Sequence, residues 1–206
     1  MRRFVLVVVA VVACWMMAGC VVGQKIPLTY TPEQMDATQG VGTFPLSVTV
    51  ADNRPYVASG DKGASFIGKY RSGFGIPYDV NTEGKTPLAQ AIQRDLTADI
   101  RKAGFTVVPS ATAERWVEVS ILDYNFDCYQ NCRVWIRLEM QVRDASGTVL
   151  YSKDLVDDRE ISGGAFGPKY VVEEEIPKRY GAMIRNIVRG DAEAMAALKR
   201  PDDVKK

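Results

Sequence analysis

The alternation of residues 133–143 constrains the fold more than any other feature of this 206-residue sequence. Apolar side chains occupy every second position, which is the period of a strand with one buried face. The first face carries Val134, Ile136, Leu138, Met140 and Val142, and the other carries Trp135, Arg137, Glu139, Gln141 and Arg143. A strand cannot bury such a face alone, so the chain must form a sheet that other elements cover.

Three more segments have strand patterns. Residues 116–126 are rich in Val, Ile, Tyr and Phe, and their apolar phase changes near Ile121-Leu122, which indicates a β-bulge. Asp144-Ala145-Ser146-Gly147 is typical of a turn, so the segments on either side of it are expected to pair. The sequence predicts a three-strand meander over residues 116–126, 133–143 and 148–156. An earlier strand alternates from Phe44 to Val50.

Two amphipathic segments supply helices for the apolar face of the sheet. The first is predicted to begin with Thr86 as its cap and Pro87 in its first turn, and to end at Gly104. Its apolar face carries Leu88, Ile92, Leu96 and Ile100. Later elements are a short strand over residues 105–108, a helix over about residues 169–189 with a kink at Pro177, and a short helix over residues 191–198.

The order of these elements predicts the fold class. The first strand, the first helix and the next strand fit a right-handed βαβ unit, and the meander extends the same sheet. We therefore predict a single α+β domain in the order β-α-β-β-β-α. It has a mixed, mostly antiparallel sheet with two main helices packed on one face.

The N-terminus has the pattern of an exported lipoprotein. It is basic at Met1-Arg2-Arg3, and the uncharged 16-residue stretch from Phe4 to Gly19 is short for a permanent membrane span. The stretch ends in Met17-Ala18-Gly19-Cys20, which resembles the bacterial lipobox. This resemblance implies cleavage after Gly19 and lipidation of Cys20. A second match ends at Cys14 and would place the lipid there.

The lipobox also implies a location and a division of the chain. Val21 follows the cysteine where inner-membrane lipoproteins of the enteric type have Asp, which implies the outer membrane, with the protein facing the periplasm. Several acyl chains hold a protein firmly on a bilayer. The predicted divisions are a signal peptide over residues 1–19, a lipidated tether over 20–43, the single domain over 44–200 and a charged tail over 201–206.

Export also affects the remaining cysteines. Once Cys14 is removed and Cys20 is lipidated, Cys128 and Cys132 remain, and they lie between two predicted strands. In an oxidising compartment we expect them to form a disulfide across a hairpin. A redox or metal pair is the alternative, although two cysteines without a histidine do not complete a zinc site.

Composition argues against several classes of function. Lys and Arg total 26 against 25 Asp and Glu, a balance unlike that of a nucleic-acid-binding domain. The sequence has no histidine, which removes Ser–His–Asp and Cys–His catalysis. Asp52, Asp144 and Asp157-Asp158 are interpreted as strand-end and turn residues rather than acid–base pairs. We predict a protein that is not an enzyme and that has no cofactor and no metal site.

A glycine-rich segment, residues 59–84, is interpreted as a long loop outside the core, and such loops are usually functional or mobile. The candidates for binding a partner are Tyr70, Phe74 and Tyr78 from this segment, together with Trp135 and Arg137. The alternative is that the loop folds back and buries its aromatic side chains against the sheet. The expected partner is an envelope protein or a cell-wall component.

Beyond the lipobox, the chain resembles the YajG-type family of bacterial lipoproteins over about residues 44–190. The resemblance is carried by Asp52-Asn53-Arg54, Gly104-Phe105, the Asp144-x-x-Gly147 turn and Gly164-Ala165-Phe166. It implies an outer-membrane lipoprotein and supplies no catalytic residues. We therefore predict a lipid-anchored, non-catalytic accessory protein that binds a periplasmic or outer-membrane partner. The alternative is an auxiliary lipoprotein subunit of an envelope lipid-transport ABC system.

Overall fold

The computed structural model describes residues 24–33, 44–72, 74–163 and 167–199. The predicted signal peptide, Cys14, Cys20 and the predicted charged tail lie outside these residues. No helix within the described residues is both long and apolar enough to cross a membrane.

The described residues form seven strands and five α-helices. The strands are β1 (Lys25–Ile26), β2 (Leu46–Asp52), β3 (Phe66–Arg71), β4 (Pro77–Thr82), β5 (Arg115–Cys128), β6 (Asn131–Asp144) and β7 (Val149–Ser162). The helices are α1 (Pro55–Ala58), α2 (Leu88–Lys102), α3 (Gly167–Tyr170), α4 (Ile176–Val188) and α5 (Ala192–Ala197).

All seven strands belong to one mixed sheet. Its order is β1-β4-β3-β5-β6-β7, and β2 also pairs with β5. β2 runs parallel to the first half of β5, and β3 runs parallel to its last two residues, so β2 and β3 lie end to end beside β5. β5, β6 and β7 form the predicted antiparallel meander. The prediction of a single α+β domain with a mixed sheet is confirmed.

The core lies between the sheet and two helices. The predicted apolar face of α2 is fully buried, and so is the face of α4 that carries Tyr180, Ile184 and Ile187. Both helices pack against the alternating apolar residues of β5 and β6 in one hydrophobic cluster. The bulge in β5 lies between Ile121 and Asp123, where the sequence places it. The helices therefore cover one face, as the binary pattern requires.

The segment predicted as a long loop, residues 59–84, is mostly a β-hairpin, and the prediction that it lies outside the core is wrong. β3 and β4 pair antiparallel, and Phe66, Ile67 and Val80 are buried. In the sequence, Gly68 is typical of a flexible loop. In the structure, the packing of β3 requires a residue without a side chain at this position. A Cβ there would lie 2.5 Å from ring atoms of Phe126. The glycine therefore allows β3 to lie directly against a core aromatic ring.

Two strand boundaries also differ from the predictions. Residues 105–108 form no strand and contribute one isolated bridge, between Val107 and Leu46. β7 continues to Ser162, so Asp157 and Asp158 lie inside a strand rather than at its end. β7 is the last strand of the sheet, and an edge strand can carry charged residues on both faces.

The helix boundaries follow the proline positions. Pro87 is the N-cap of α2 in place of Thr86, so the helix begins one residue later than predicted. The predicted interruption at Pro177 is present, because a π-helical turn over Val171–Glu175 separates α3 from α4. A proline has no N–H to continue the preceding helical ladder. The last predicted helix is present as α5.

Residues 24–33, predicted as part of the tether, pack against the domain, and we call them the N-terminal strap. β1 within the strap pairs parallel with β4. The side chains of Ile26 and Leu28 are buried in the main core. The strap is therefore a structural part of the domain, held by the burial of apolar side chains.

Polar contacts also hold the strap. The hydroxyl of Tyr30 donates a hydrogen bond to Asp99 of α2, and Arg189 donates to the same carboxylate at 2.7 Å. Asp99 is fully buried. Burial, followed by the hydrogen bond to Asp99, raises the pKa of Tyr30 above its usual range. The neutral phenol thus stays the hydrogen-bond donor at physiological pH.

Candidate partner-binding site

The three aromatic candidates of the β3–β4 hairpin have different environments. Tyr70 and Tyr78 face each other across the hairpin, and Tyr70 packs against the core near Cys128. Phe74 lies at the tip of the hairpin with 94% of its surface exposed. The environment of Tyr70 therefore agrees with the alternative prediction, in which the segment packs its aromatic side chains against the sheet. The environment of Phe74 does not.

Trp135 and Arg137 lie on the face of the sheet opposite α2 and α4, because they alternate with the buried residues of β6. Trp135 pairs with Asn125, whereas the neighbouring Val134 faces the core. Arg133 lies over the Trp135 ring at 5.5 Å, and Arg137 contacts Asp154 at 3.3 Å. The five predicted partner-binding residues therefore do not form one patch.

Cys128 and Cys132 form the expected disulfide. They are opposite each other in the β5–β6 ladder, with their Cα atoms 4.0 Å apart. Both are fully buried and belong to the hydrophobic core. The bond closes the end of the hairpin, next to Tyr70 of β3.

A groove runs along the helix side of β7, between that strand and α4, and we call it the β7 groove. Its volume is about 280 Å³. Its apolar lining comes from Ile136, Leu155, Val156, Ala182 and Met183. Its polar lining comes from Asp157, Arg159, Arg179 and Asn186. Val156 pairs with Arg137, so its side chain, which is 65% exposed, lies on the other face of β7 at the rim of the groove.

The charges of the β7 groove are concentrated around Asp157. Arg159 donates to one of its oxygens, and Arg179 donates to the other at 3.2 Å. The Nε atom of Arg179 is buried and has no hydrogen-bond partner among the residues that the structure describes. An unpartnered buried donor is costly, so an acceptor that entered the groove would gain the full hydrogen bond.

The groove lies beside a strand edge. Within the described residues, β7 pairs only with β6 and ends the sheet. In an antiparallel ladder, alternate residues direct their N–H and C=O groups away from the neighbouring strand. Over its 14 residues, β7 therefore offers an unpaired backbone edge directly next to an apolar groove.

The sequence did not point to this site. Ending the predicted strand at residue 156 leaves Asp157 and Arg159 outside it, and Arg179 is separated from them by twenty residues of chain. One signal was present. Charged residues at Asp157, Asp158, Arg159 and Glu160 follow a strand pattern without interruption, which is typical of an exposed edge strand.

Several strand carboxylates, including candidates for acid–base chemistry such as Asp52 and Asp158, have structural partners. Asp52 holds the fully buried Arg54 at 2.7 Å, Asp127 holds Arg71, and Asp158 contacts Arg133 at 3.2 Å. No cluster of three or more metal-ligand side chains occurs in the part of the chain that the structure describes.

Asp95 joins the two main helices. It accepts a hydrogen bond from the Tyr180 hydroxyl at 2.6 Å and is also paired with Arg94. Burial, followed by the hydrogen bond to Asp95, raises the pKa of Tyr180 well above its usual range. Buried polar groups with matched partners of this kind hold helices in register.

No protein-family model matches the chain, and no curated protein matches its sequence. Solved structures do match its fold. A Xanthomonas campestris protein of the DUF330 family matches with a TM-score of 0.53 and 12% identity, over 80% of this chain and 95% of its own. An uncharacterized protein matches with a TM-score of 0.46 and 15% identity, over 81% of this chain and 98% of its own.

The PelC dodecamer from Paraburkholderia phytofirmans matches with a TM-score of 0.41 and 12% identity, over 82% of this chain and 96% of its own. The DUF330 protein shows that the domain shares its fold with a known structure. None of the three is described as YajG-type, so that resemblance stays a prediction.

Proposed function

We propose that this chain is a lipid-anchored, non-catalytic protein of the bacterial envelope that binds an extended segment of a partner protein along β7. The observation that carries the proposal is the unpaired edge of β7 beside the β7 groove. An extended peptide that adds to a sheet edge gains backbone hydrogen bonds, and a pocket beside the edge selects its side chains.

The groove indicates the chemistry of the bound segment. Alternate side chains of an added strand would point to the helix side, where Leu155 and Ala182 line an apolar space. Arg159 and Arg179 both contact Asp157, so this part of the groove carries a surplus of one positive charge. The segment therefore carries an apolar side chain next to an acidic one, and its acidic group or a backbone carbonyl accepts from Arg179 Nε.

The remaining parts of the proposal rest on other observations. The lipobox at Cys20 supports the anchor, and the fold match to a DUF330 protein is compatible with the predicted single domain. Arginine partners occupy Asp52, Asp127 and Asp158, which supports a protein that binds rather than one that catalyses. The proposal also includes the YajG-type resemblance and the outer-membrane location, which rest on the sequence motifs described above.

A photocrosslinking amino acid at Val156, introduced in living cells, tests where the partner binds. The expected product joins this position to one short stretch of an envelope protein that contains an apolar and an acidic residue. The same label at Asp61, an exposed residue beside β3, should not yield that product. Products spread over unrelated proteins at both positions would contradict the proposal.

The crosslinked stretch, made as a synthetic peptide, then tests the groove itself. Arg179→Ala should weaken its binding to the purified protein by about tenfold or more, because a charge-assisted hydrogen bond is lost. Arg185→Ala is the matched control, since it removes an arginine from the same helix outside the groove. Equal effects of the two substitutions would place the interface elsewhere.

A further inference from the structure

The tip of the β3–β4 hairpin exposes apolar side chains. Phe74 is 94% exposed and Ile76 is 51% exposed. The turn itself is closed by hydrogen bonds from Ser72 N–H to the Ile76 carbonyl at 3.0 Å and from Gly75 N–H to the Ser72 carbonyl at 2.8 Å. The tip therefore presents these two side chains to solvent on a closed turn, and exposure of apolar surface to water is unfavourable.

A third exposed apolar residue lies at the same end of the sheet. β3 runs parallel to β5, with Tyr70 beside Cys128, so both strands leave the sheet in the same direction. Tyr129 follows Cys128 and is 42% exposed. We call Phe74, Ile76 and Tyr129 the apolar end. Val149 and Leu150, which are also exposed, lie at the start of β7 and so at the opposite end of the ladder.

The N-terminal strap approaches the domain from the apolar end. β1 pairs parallel with β4, with Lys25 beside Asn81, and Asn81 N–H donates to the Gln24 carbonyl at 3.0 Å. β4 starts at Pro77, directly after the hairpin tip. Because the two strands run in the same direction, the chain enters β1 from the side where the tip lies.

The length of chain between Cys20 and the strap limits where the lipid can be. Gln24 lies four positions after Cys20, and a fully extended chain spans at most about 3.5 Å per residue, so the two are at most about 14 Å apart. β4 covers about 13 Å between Pro77 and Asn81, at about 3.3 Å per residue. An extended segment that continues along β4 is therefore long enough to bring the lipid on Cys20 level with Pro77, at the base of the hairpin tip.

Charges near the tip do not oppose contact with lipid. Arg71 donates two hydrogen bonds to Asp127, at 2.7 and 2.5 Å, and Lys62 donates to Asp79. These four side chains are thus paired with opposite charges, whereas Phe74 and Ile76 in the turn are exposed. An apolar tip of this kind suits the headgroup–acyl boundary of a bilayer.

We propose that the apolar end rests in the interface of the same bilayer that holds the lipid of Cys20. This inference rests on the lipid anchor proposed above. It gives the domain a defined orientation, with Phe74, Ile76 and Tyr129 in contact with the membrane and the end formed by Asp144–Thr148 directed away from it.

Tryptophan fluorescence in vesicles of brominated phosphatidylethanolamine and phosphatidylglycerol tests this orientation. The mature lipidated protein is used with Trp116→Phe and Trp135→Phe, so that Phe74→Trp is the probe. Its emission should shift to the blue and lose about half of its intensity, because interfacial aromatic rings lie at the headgroup level. Ala145→Trp, exposed in the β6–β7 turn, is the matched control and should keep its emission.

Intact mass and vesicle flotation separate the two proposals. If the protein carries acyl mass and floats, but the probes at 74 and 145 behave alike, the orientation is overturned and the anchor stands. If the mature protein lacks acyl mass, the anchor is overturned and the orientation with it. Quenching at 74 alone, in protein that floats, supports both.

Discussion

Asp191 uses both of its carboxylate oxygens to tie α5 to β7. One oxygen caps the helix by accepting from the N–H groups of Glu193 at 2.9 Å and Ala194 at 3.1 Å. The other accepts from the Tyr151 hydroxyl at 2.6 Å and Lys153 at 2.7 Å. The Lys153 and Tyr151 hydrogen bonds hold the pKa of Asp191 well below its usual range.

We predict that Asp191→Asn lowers the free energy of unfolding by about 1–2 kcal/mol at pH 7, because the amide keeps the cap and loses the charge. A carboxylate with a lowered pKa stabilises the fold fully above its ordinary value of 3.8 and loses this contribution as pH falls below it. Urea unfolding should therefore show a gap between variant and wild type that shrinks below about pH 4.

The control for this prediction is Asp154→Asn. Asp154 contacts Arg137 at 3.3 Å, and both side chains are more than half exposed. Exposed pairs contribute little to stability, so this variant should unfold close to wild type. A gap for Asp191→Asn that is unchanged at low pH would contradict the account of Asp191.

At the scale of elements, the β3–β4 hairpin depends on a close approach to β5. We predict that Gly68→Ala destabilises the protein by about 1–3 kcal/mol, because the added methyl group meets the Phe126 ring and the core must shift. Gly63→Ala is the matched control, since a Cβ there has no neighbour within 4 Å. Chemical denaturation of both variants measures the difference, and equal stabilities would show that the ring moves freely.

The disulfide at the end of the β5–β6 hairpin should add little to the fold. It closes a loop of about five residues, for which chain-entropy arguments give about 2 kcal/mol. We predict that reduction lowers stability by about that amount without unfolding the domain. Thiol labelling of the denatured, unreduced protein should detect neither Cys128 nor Cys132. Labelling of both would mean that the bond does not form in the cell.

Elements with strong local periodicity could be predicted from the sequence. α2 and β6 have uninterrupted apolar patterns, and both are present with those faces buried. β3 could not be predicted in this way, because Gly68 resembles a loop residue until Phe126 is placed against it. The second half of β7 could not be predicted either, because its charged residues interrupt the apolar alternation. An edge strand tolerates such residues.

At the scale of the whole molecule, the strap and the β7 groove depend on contacts between distant parts of the chain. Ile26 and Leu28 flank Pro27 in a segment with the pattern of a tether, and only the packing of β1 on β4 shows that they are core residues. The β7 groove combines β7 with Arg179 and Ala182 of α4. A local sequence pattern cannot show that residues this far apart in the chain line one groove. The candidate site could therefore be found only from the fold.

The apolar end and the β7 groove lie on different parts of the domain. The apolar end lies beside the strand that joins the chain to its anchor, whereas the β7 groove lies along the other edge of the sheet. In the proposed orientation, the membrane contacts the end of the sheet that carries Phe74 and Tyr129. Ser162 lies at that end, and the edge of β7 that precedes it stays accessible to a partner. One short domain can therefore be held on a bilayer and bind a protein at the same time.

Amide hydrogen exchange along β7, with and without the synthetic peptide defined by crosslinking at Val156, tests the central claim most directly. The account predicts that β7 amides directed away from β6 exchange at least about tenfold more slowly when the peptide is bound, because they gain partners in an added strand. The amides of β1, at the other edge, should be unchanged. Bound peptide that protects β1 or the apolar end, and leaves β7 unprotected, would contradict the account.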